Sequence, residues 1–288
     1  MYIPTDAHSL SEETKPVFKV ALQARGGQGK TWSALTFPNP IVLNFDKNLQ
    51  AFAGRGDIHQ VPFWEDKFVD SIIKRGNTLD QSIRPDATTR PNRRDALIIW
   101  LNREGPKFTS EQTIVLDSWS KVQDSFDQQE RIEPHYTKKG EVDEFAFWAN
   151  KLEWSTTLCE LLGSLACNVV VTFHEMYITD EGGKVIINKV IPLQQGKFVN
   201  KVSLYFSDWF RCLFLVKGTP KSDLPAPLQE LIKDTILQED MGFWQTKSSL
   251  IVDCKTRIVG APQFIRADYN ELIRLYETNK NKTQQIPK

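Results

Sequence analysis

Apolar residues arrive along this chain in short runs broken by glycine and proline, and the runs alternate between two periods. Val17 to Leu22, Ile41 to Leu43, Thr113 to Leu116 and Asn168 to Phe173 are nearly continuous β-branched and apolar stretches, the mark of strands buried on both faces. Between them lie segments of helical spacing. TWSALTF is stopped by Pro38 and Pro40; Trp64 to Lys74 turns Phe68, Ile72 and Ile73 inward behind Phe63; Asp95 to Asn102 starts on an Asp cap and closes at Gly105 and Pro106. Lys121 to Arg131 is a polar helix, and Ala146 to Leu165 carries Phe147, Trp148, Leu152, Trp154, Leu158, Leu161, Leu162 and Leu165. Strand, helix and strand in repetition predict an α/β fold with a mainly parallel, doubly wound sheet.

Beyond His174 the pattern changes to antiparallel units. Tyr177 to Val190 reads as a hairpin with Glu181, Gly182 and Gly183 at its tip. A flexible entry at Gln194 to Lys197 leads into a helix through Leu204 and a strand from Trp209 to Val216, and a last strand pair is expected at Gly242 to Thr246 and Leu250 to Asp253. The division is an arm at 1–14, one domain at 15–276 with surface inserts near 75–95 and 218–240, and a flexible polar tail at 277–288.

The first strand feeds directly into chemistry. Pro16 to Thr36, PVFKVALQARGGQGKTWSALT, places Arg25, Gly26, Gly27, Gln28, Gly29, Lys30, Thr31 and Trp32 at a strand-to-helix turn, which is the order of a phosphate-binding loop. The glycines let backbone N–H groups curl around phosphates, Lys30 reaches the β and γ phosphates, and Thr31 offers a hydroxyl to Mg²⁺. The pattern GxxxxGK[ST] has Gly where this chain has Ala24. TIVLDSWS supplies the second half of a Mg²⁺–nucleotide site: Asp117 ends a strand, expected beside the loop strand, and holds the metal together with Thr31. Asp46, at the end of PIVLNFD, is either a general base orienting water beside the γ phosphate or the first residue of the turn DKN. His174, closing NVVVTF, either senses the γ phosphate or is a strand-end histidine satisfied by its neighbours. Ligands in such sheets sit at the carboxyl ends of strands, so Asp46, Asp117 and His174 should gather on the edge that holds Lys30.

Composition narrows the classes little. Lys plus Arg and Asp plus Glu number 36 each, so contact with nucleic acid would need a local patch rather than bulk charge. The four cysteines, Cys159, Cys167, Cys212 and Cys254, sit in apolar runs without CxxC spacing and read as reduced, buried thiols of a cytoplasmic protein. No apolar run approaches the about 18 residues of a membrane span, and no signal peptide is expected.

With these residues in place the chain resembles a phage-encoded family of small RecA-like P-loop ATPases that includes the Sak-type single-strand annealing proteins. The resemblance runs from about Pro16 to Leu275. It rests on RGGQGKT, PIVLNFD, TIVLDSWS, AFWANKLEW, NVVVTFHE and QTKSSLIVDCKTRIVG in order. It implies a RecA-like core using ATP and Mg²⁺ and assembly of like subunits into a ring or filament. It also implies action on single-stranded DNA in recombination in the host cytoplasm, with a single-strand DNA-binding protein as a further partner. By position it makes Lys30, Asp46, Asp117 and His174 catalytic, with Asp46 one methylene shorter than the usual Glu. Lys255 and Arg257 either match a basic pair that reaches a neighbouring subunit's γ phosphate or are surface charges on a late strand, and Lys184, Lys189, Lys197 and Lys201 are the candidates to face DNA. Two alternatives stand beside this: a small-molecule phosphotransferase with Arg84, Arg90, Arg93 and Arg94 as an acceptor lid, and a nucleotide-gated switch with negligible turnover.

Overall fold

A computed structural model describes residues 16–47, 50–52, 54–77, 92–179, 185–193, 198–199 and 201–284. The arm at 1–14, Arg84, Arg90, the hairpin tip, Lys184 and Lys197 lie outside them.

The apolar runs become β1 (Lys19–Ala24), β2 (Pro40–Asn44), β4 (Thr113–Asp117) and the first half of β5 (Asn168–Thr179), with a short β3 (His59–Pro62) at one edge. Val20, Ala21 and Leu22 have no exposed surface, nor do Ile114, Val115, Leu116, Val169, Val170 and Val171. Such burial follows from helices on both faces of the sheet. Side chains alternate: Val20, Leu22, Ala24, Val42, Val115 and Val170 face one layer, and Ala21, Ile41, Leu43, Ile114, Leu116, Val169 and Val171 face the other. The second layer is covered by α2 (Asp66–Asn77), α3 (Arg93–Glu104), α4 (Trp119–Ile132) and α5 (Glu144–Ser164). The first is covered by α1 (Lys30–Ala34) and α7 (Tyr269–Gln284).

Among the described residues the sheet has nine strands, in the order β3-β2-β4-β5-β1-β7-β8-β9, with β6 (Val185–Pro192) paired to the outer half of β5. Strands β3 through β7 (Asp208–Leu215) along this path are parallel; β8 (Met241–Gln245) and β9 (Phe264–Arg266) are antiparallel. This is a mixed α/β core, mainly parallel and doubly wound, with a hairpin and antiparallel strands in its C-terminal part.

The structure corrects several local expectations. The strand carrying Asp117 is not beside β1, because β5 lies between them, paired to both. Helix α3 is capped by Asn92, whose side chain accepts the Asp95 N–H, so Asp95 is a first-turn residue. Leu250 to Asp253 forms only a single bridge, Val190 to Val252, and β9 takes the expected place beside β8. The tail expected to be flexible is helical through Gln284, in α7. Its residues Tyr269 and Tyr276 meet Phe18 edge-on, which anchors the first half of the helix beside β1. The insert at 218–240, with its one-turn α6 (Ala226–Gln229), is also more than a surface loop: Leu224, Leu228, Ile232 and Leu237 bury against Phe243 and Phe264.

Candidate nucleotide site

The turn after β1 depends on two left-handed glycines, Gly27 at φ 74° and Gly29 at φ 72°. At Gly29 a Cβ would also stand 3.2 Å from the Phe214 ring, so conformation and space both demand glycine. Ala24 needs no such freedom. It is the last residue of β1, buried and paired with His174, so the loop's departure from the glycine pattern falls where a strand residue suffices.

Lys30 opens α1 and is 7% exposed. Its Nζ donates to the Ala24 and Arg25 carbonyls at 2.9 and 2.8 Å, and burial holds its pKa below the ordinary lysine value. A buried ammonium held by loop carbonyls is placed to exchange them for phosphate oxygens. Thr31 Oγ1 donates to Asp117 Oδ2 at 2.9 Å, so the loop and the end of β4 meet although the strands are not neighbours. Thr172 makes this possible. Lying on the interposed β5 with no exposed surface, it donates Oγ1 to Asp117 Oδ1 at 2.6 Å and fixes the carboxylate. Thr172 escaped the sequence reading; the one hydroxyl inside the run NVVVTF was its only signal.

Asp46 follows β2, but the turn there belongs to Asn44, whose Oδ1 accepts from the Asp46 and Lys47 N–H groups at 3.0 Å each. The Asp46 carboxyl is left for other work. Its pKa is raised, first by burial and then by Asp117, while Ser118, Lys121 and Lys30 act in the opposite sense. Asp46 Oδ1, Asn44 Nδ2 and Ser118 Oγ are buried with no hydrogen bond closed on them; Ser118 lies near the carboxylate without closing a bond at those atoms. Three orphaned polar atoms beside Asp117 suit a polar, hydrated ligand. His174 is half-buried beside them, its pKa lowered by burial and then by Lys30, which favours the neutral imidazole.

The donor set fits Mg²⁺ carried by a nucleotide. Among the described residues no group of three or more His, Cys, Asp or Glu side chains is placed to hold a metal unaided. One hydroxyl and one carboxylate, Thr31 and Asp117, are what a hydrated Mg²⁺ bound mainly through phosphates requires. Such an ion would neutralise phosphate charge; the protein's part is to orient it.

Two further residues belong to this edge. Glu175, next to His174, has a 1% exposed side chain and takes Arg211 of β7 through both oxygens at 2.9 and 3.2 Å. Arg25 of the loop lies over the ring of Tyr177 in β5, 4.6 Å from its centroid, so the phosphate loop touches the base of the hairpin. Gln28 accepts the Phe214 N–H at 3.3 Å, and Trp32, 53% exposed, rests against Gly242.

Other expected residues lie elsewhere. Lys255 pairs by backbone with Trp209, and Arg257 donates to the Val17 carbonyl, approaches Asp208 at 3.6 Å and covers Phe18. Those partners stand at the start of β1 and β7, the end of the sheet away from the loop, so the pair is not brought to its own subunit's site. Lys189 lies in β6 and Lys201 is exposed before Val202. Of the arginine cluster, Arg93 binds the Phe63 and Trp64 carbonyls and Asp66, and Arg94 binds Asp95 and Glu130, so both are structural.

No helix among the described residues is long and apolar enough to cross a membrane, and all four cysteines are buried free thiols. No curated protein matches the chain. A match to the AAA domain family covers residues 18–209, two thirds of the chain, from the start of β1 into β7. It therefore encloses the loop, Asp46, Asp117, Thr172 and His174, and the chain belongs to the AAA domain family of P-loop NTPases.

Proposed function

We infer that this protein binds ATP with Mg²⁺, hydrolyses it slowly, and uses the cycle to act on single-stranded DNA in phage recombination or strand annealing, as an assembly of like subunits. The observation that carries the nucleotide part is the convergence of Lys30, the Thr31–Asp117 pair and the unpartnered Asp46 oxygen on one sheet edge. In this reading Lys30 and the loop N–H groups hold the triphosphate, Thr31 and Asp117 orient its metal, and Asp46 takes a proton from the attacking water. Support for the DNA part is the continuity of β5: the strand passes His174 at the phosphate edge and enters the hairpin, whose Tyr177 touches Arg25. Lys184, Lys189, Lys197 and Lys201 on and after that hairpin supply the cations that would meet a DNA backbone, and Lys255 and Arg257 would serve a neighbouring subunit.

A second reading, a nucleotide-gated switch with negligible turnover, is favoured by Asp46 itself, whose carboxyl is short and held toward its protonated form. Small-molecule phosphoryl transfer is disfavoured, since Arg93 and Arg94 are engaged in the fold. Phosphate release from ATP, measured with and without a single-stranded oligonucleotide, separates them. Stimulation by DNA supports the main reading; tight ATP binding with no release under either condition replaces it with the switch.

A further inference from the structure

Thr31 and Trp32 are consecutive residues of α1, so their side chains leave the helix about 100° apart. Thr31 reaches toward β4 to meet Asp117, and Trp32 lies on Gly242 of β8. In the sheet, β4 and β8 fall on opposite sides of β1. A triphosphate wrapped by the loop with its terminal phosphate near Asp117 therefore has its other end at Trp32. Beside that tryptophan is a cavity of about 400 Å³ lined by Trp32, Asp240, Gly242, Arg266, Asn270, Glu271 and their neighbours at the start of α7.

The indole is 53% exposed. Glycine at residue 242 lets it rest close against β8: a methyl there would stand 3.3 Å from the indole and 3.2 Å from Ala267 Cβ. The cavity rim carries both hydrogen-bond donors and acceptors, with Glu271 already paired to Arg274 at 2.6 and 2.7 Å. A large aromatic face left open, one residue past the metal-side hydroxyl and next to a polar cavity, suits a flat heterocycle.

We propose that Trp32 and the β8–α7 cavity form the nucleobase subsite, with the base stacked on the exposed indole face and its edge turned toward Arg266, Asn270 and Glu271. This rests on the phosphate loop holding the triphosphate, and the test separates the two claims. Binding of Mg²⁺–ATP and of Mg²⁺–tripolyphosphate, which lacks base and sugar, is measured by calorimetry for the native protein and for Trp32→Ala, Trp32→Phe and Lys30→Ala, with melting temperatures recorded alongside. The native protein should prefer ATP; Trp32→Ala should weaken ATP about 5- to 150-fold, the range for losing one base–aromatic stack, and leave tripolyphosphate unchanged. Trp32→Phe should keep most of the affinity, and ATP but not tripolyphosphate should quench fluorescence of the native protein more than of Trp32→Phe. Unchanged ATP affinity in Trp32→Ala, or equal loss of both ligands at an unchanged melting temperature, overturns the subsite. If Trp32→Ala does not fold, the fluorescence difference with Trp32→Phe decides alone, and its absence overturns the proposal. Native protein that binds neither ligand, or Lys30→Ala that binds both normally, sinks the phosphate-loop reading instead.

Discussion

Replacing Thr172 by Val tests how β5 sets up the site without touching any residue that would meet the nucleotide. The side chain is fully buried and its hydroxyl donates to Asp117 Oδ1 at 2.6 Å, with a longer 3.5 Å contact to the Leu116 carbonyl. Valine keeps the shape and removes the donor. A hydrogen bond to a charged group contributes about 1.5–3 kcal/mol, and Asp117, 4% exposed, has little water to replace it. In a domain of this size each kcal/mol moves the melting temperature by about 2–4 °C, so a fall of about 3–12 °C is expected. Released from Thr172, the carboxylate loses its fixed orientation toward Thr31, and the Mg²⁺ concentration needed for half-maximal ATP binding should rise several-fold. Thr172→Ser, which restores the donor, should recover the Mg²⁺ requirement. A Thr172→Val protein with native melting temperature and native Mg²⁺ requirement would falsify the claim that β5 positions Asp117.

Lys30→Ala should reduce ATP affinity to the limit of calorimetric detection while leaving the fold intact, since its side chain bonds only loop carbonyls. Asp46→Asn should retain ATP binding and lose turnover by at least about 100-fold, the span usual for a general base. Because the Asp46 pKa is raised in the fold, the folded state binds the proton more tightly than the unfolded chain, so its stabilising contribution is lost as pH rises through the folded value. Turnover should therefore fall on acidification at a higher pH than an exposed aspartate would require, and Asp46→Asn should be the more stable protein at neutral pH in urea titration. Arg211→Ala strands the buried Glu175 and should cost about 3–5 kcal/mol in urea denaturation, most of it recovered by adding Glu175→Gln. Arg257→Ala should leave ATP affinity of the isolated subunit unchanged, and ATPase measured on mixtures with Lys30→Ala checks a role across subunits: no recovery of activity at any ratio removes that role.

The phosphate loop was legible because its requirements are local. Gly27 and Gly29 need φ values that other residues resist, and Lys30 and Thr31 follow them on one helix turn, so the spacing in the chain is the spacing in space. The parallel core was legible for a similar reason: strands buried on both faces must be apolar throughout, and Ile114 to Leu116 and Val169 to Val171 are. The C-terminal strands were harder. Phe264 to Arg266 is three residues long and carries no period, and α7 ends in polar residues, so neither announced itself before Trp244 and Phe18 were there to pack against.

Local residue order was enough to show that a glycine-rich turn with lysine and threonine joins a buried strand to a helix, and that Asp46 and Asp117 follow the next buried runs. Folding of the whole chain was needed to place β5 between β1 and β4, and with it to make Thr172 hold Asp117 and Glu175 take Arg211 from β7. It also decided that Arg257 serves the far end of the sheet and that Trp32 faces β8. Strand order is the reason: it is set by how whole faces of the sheet share their helices, and residues 55 or 36 positions apart become partners only once that packing is complete.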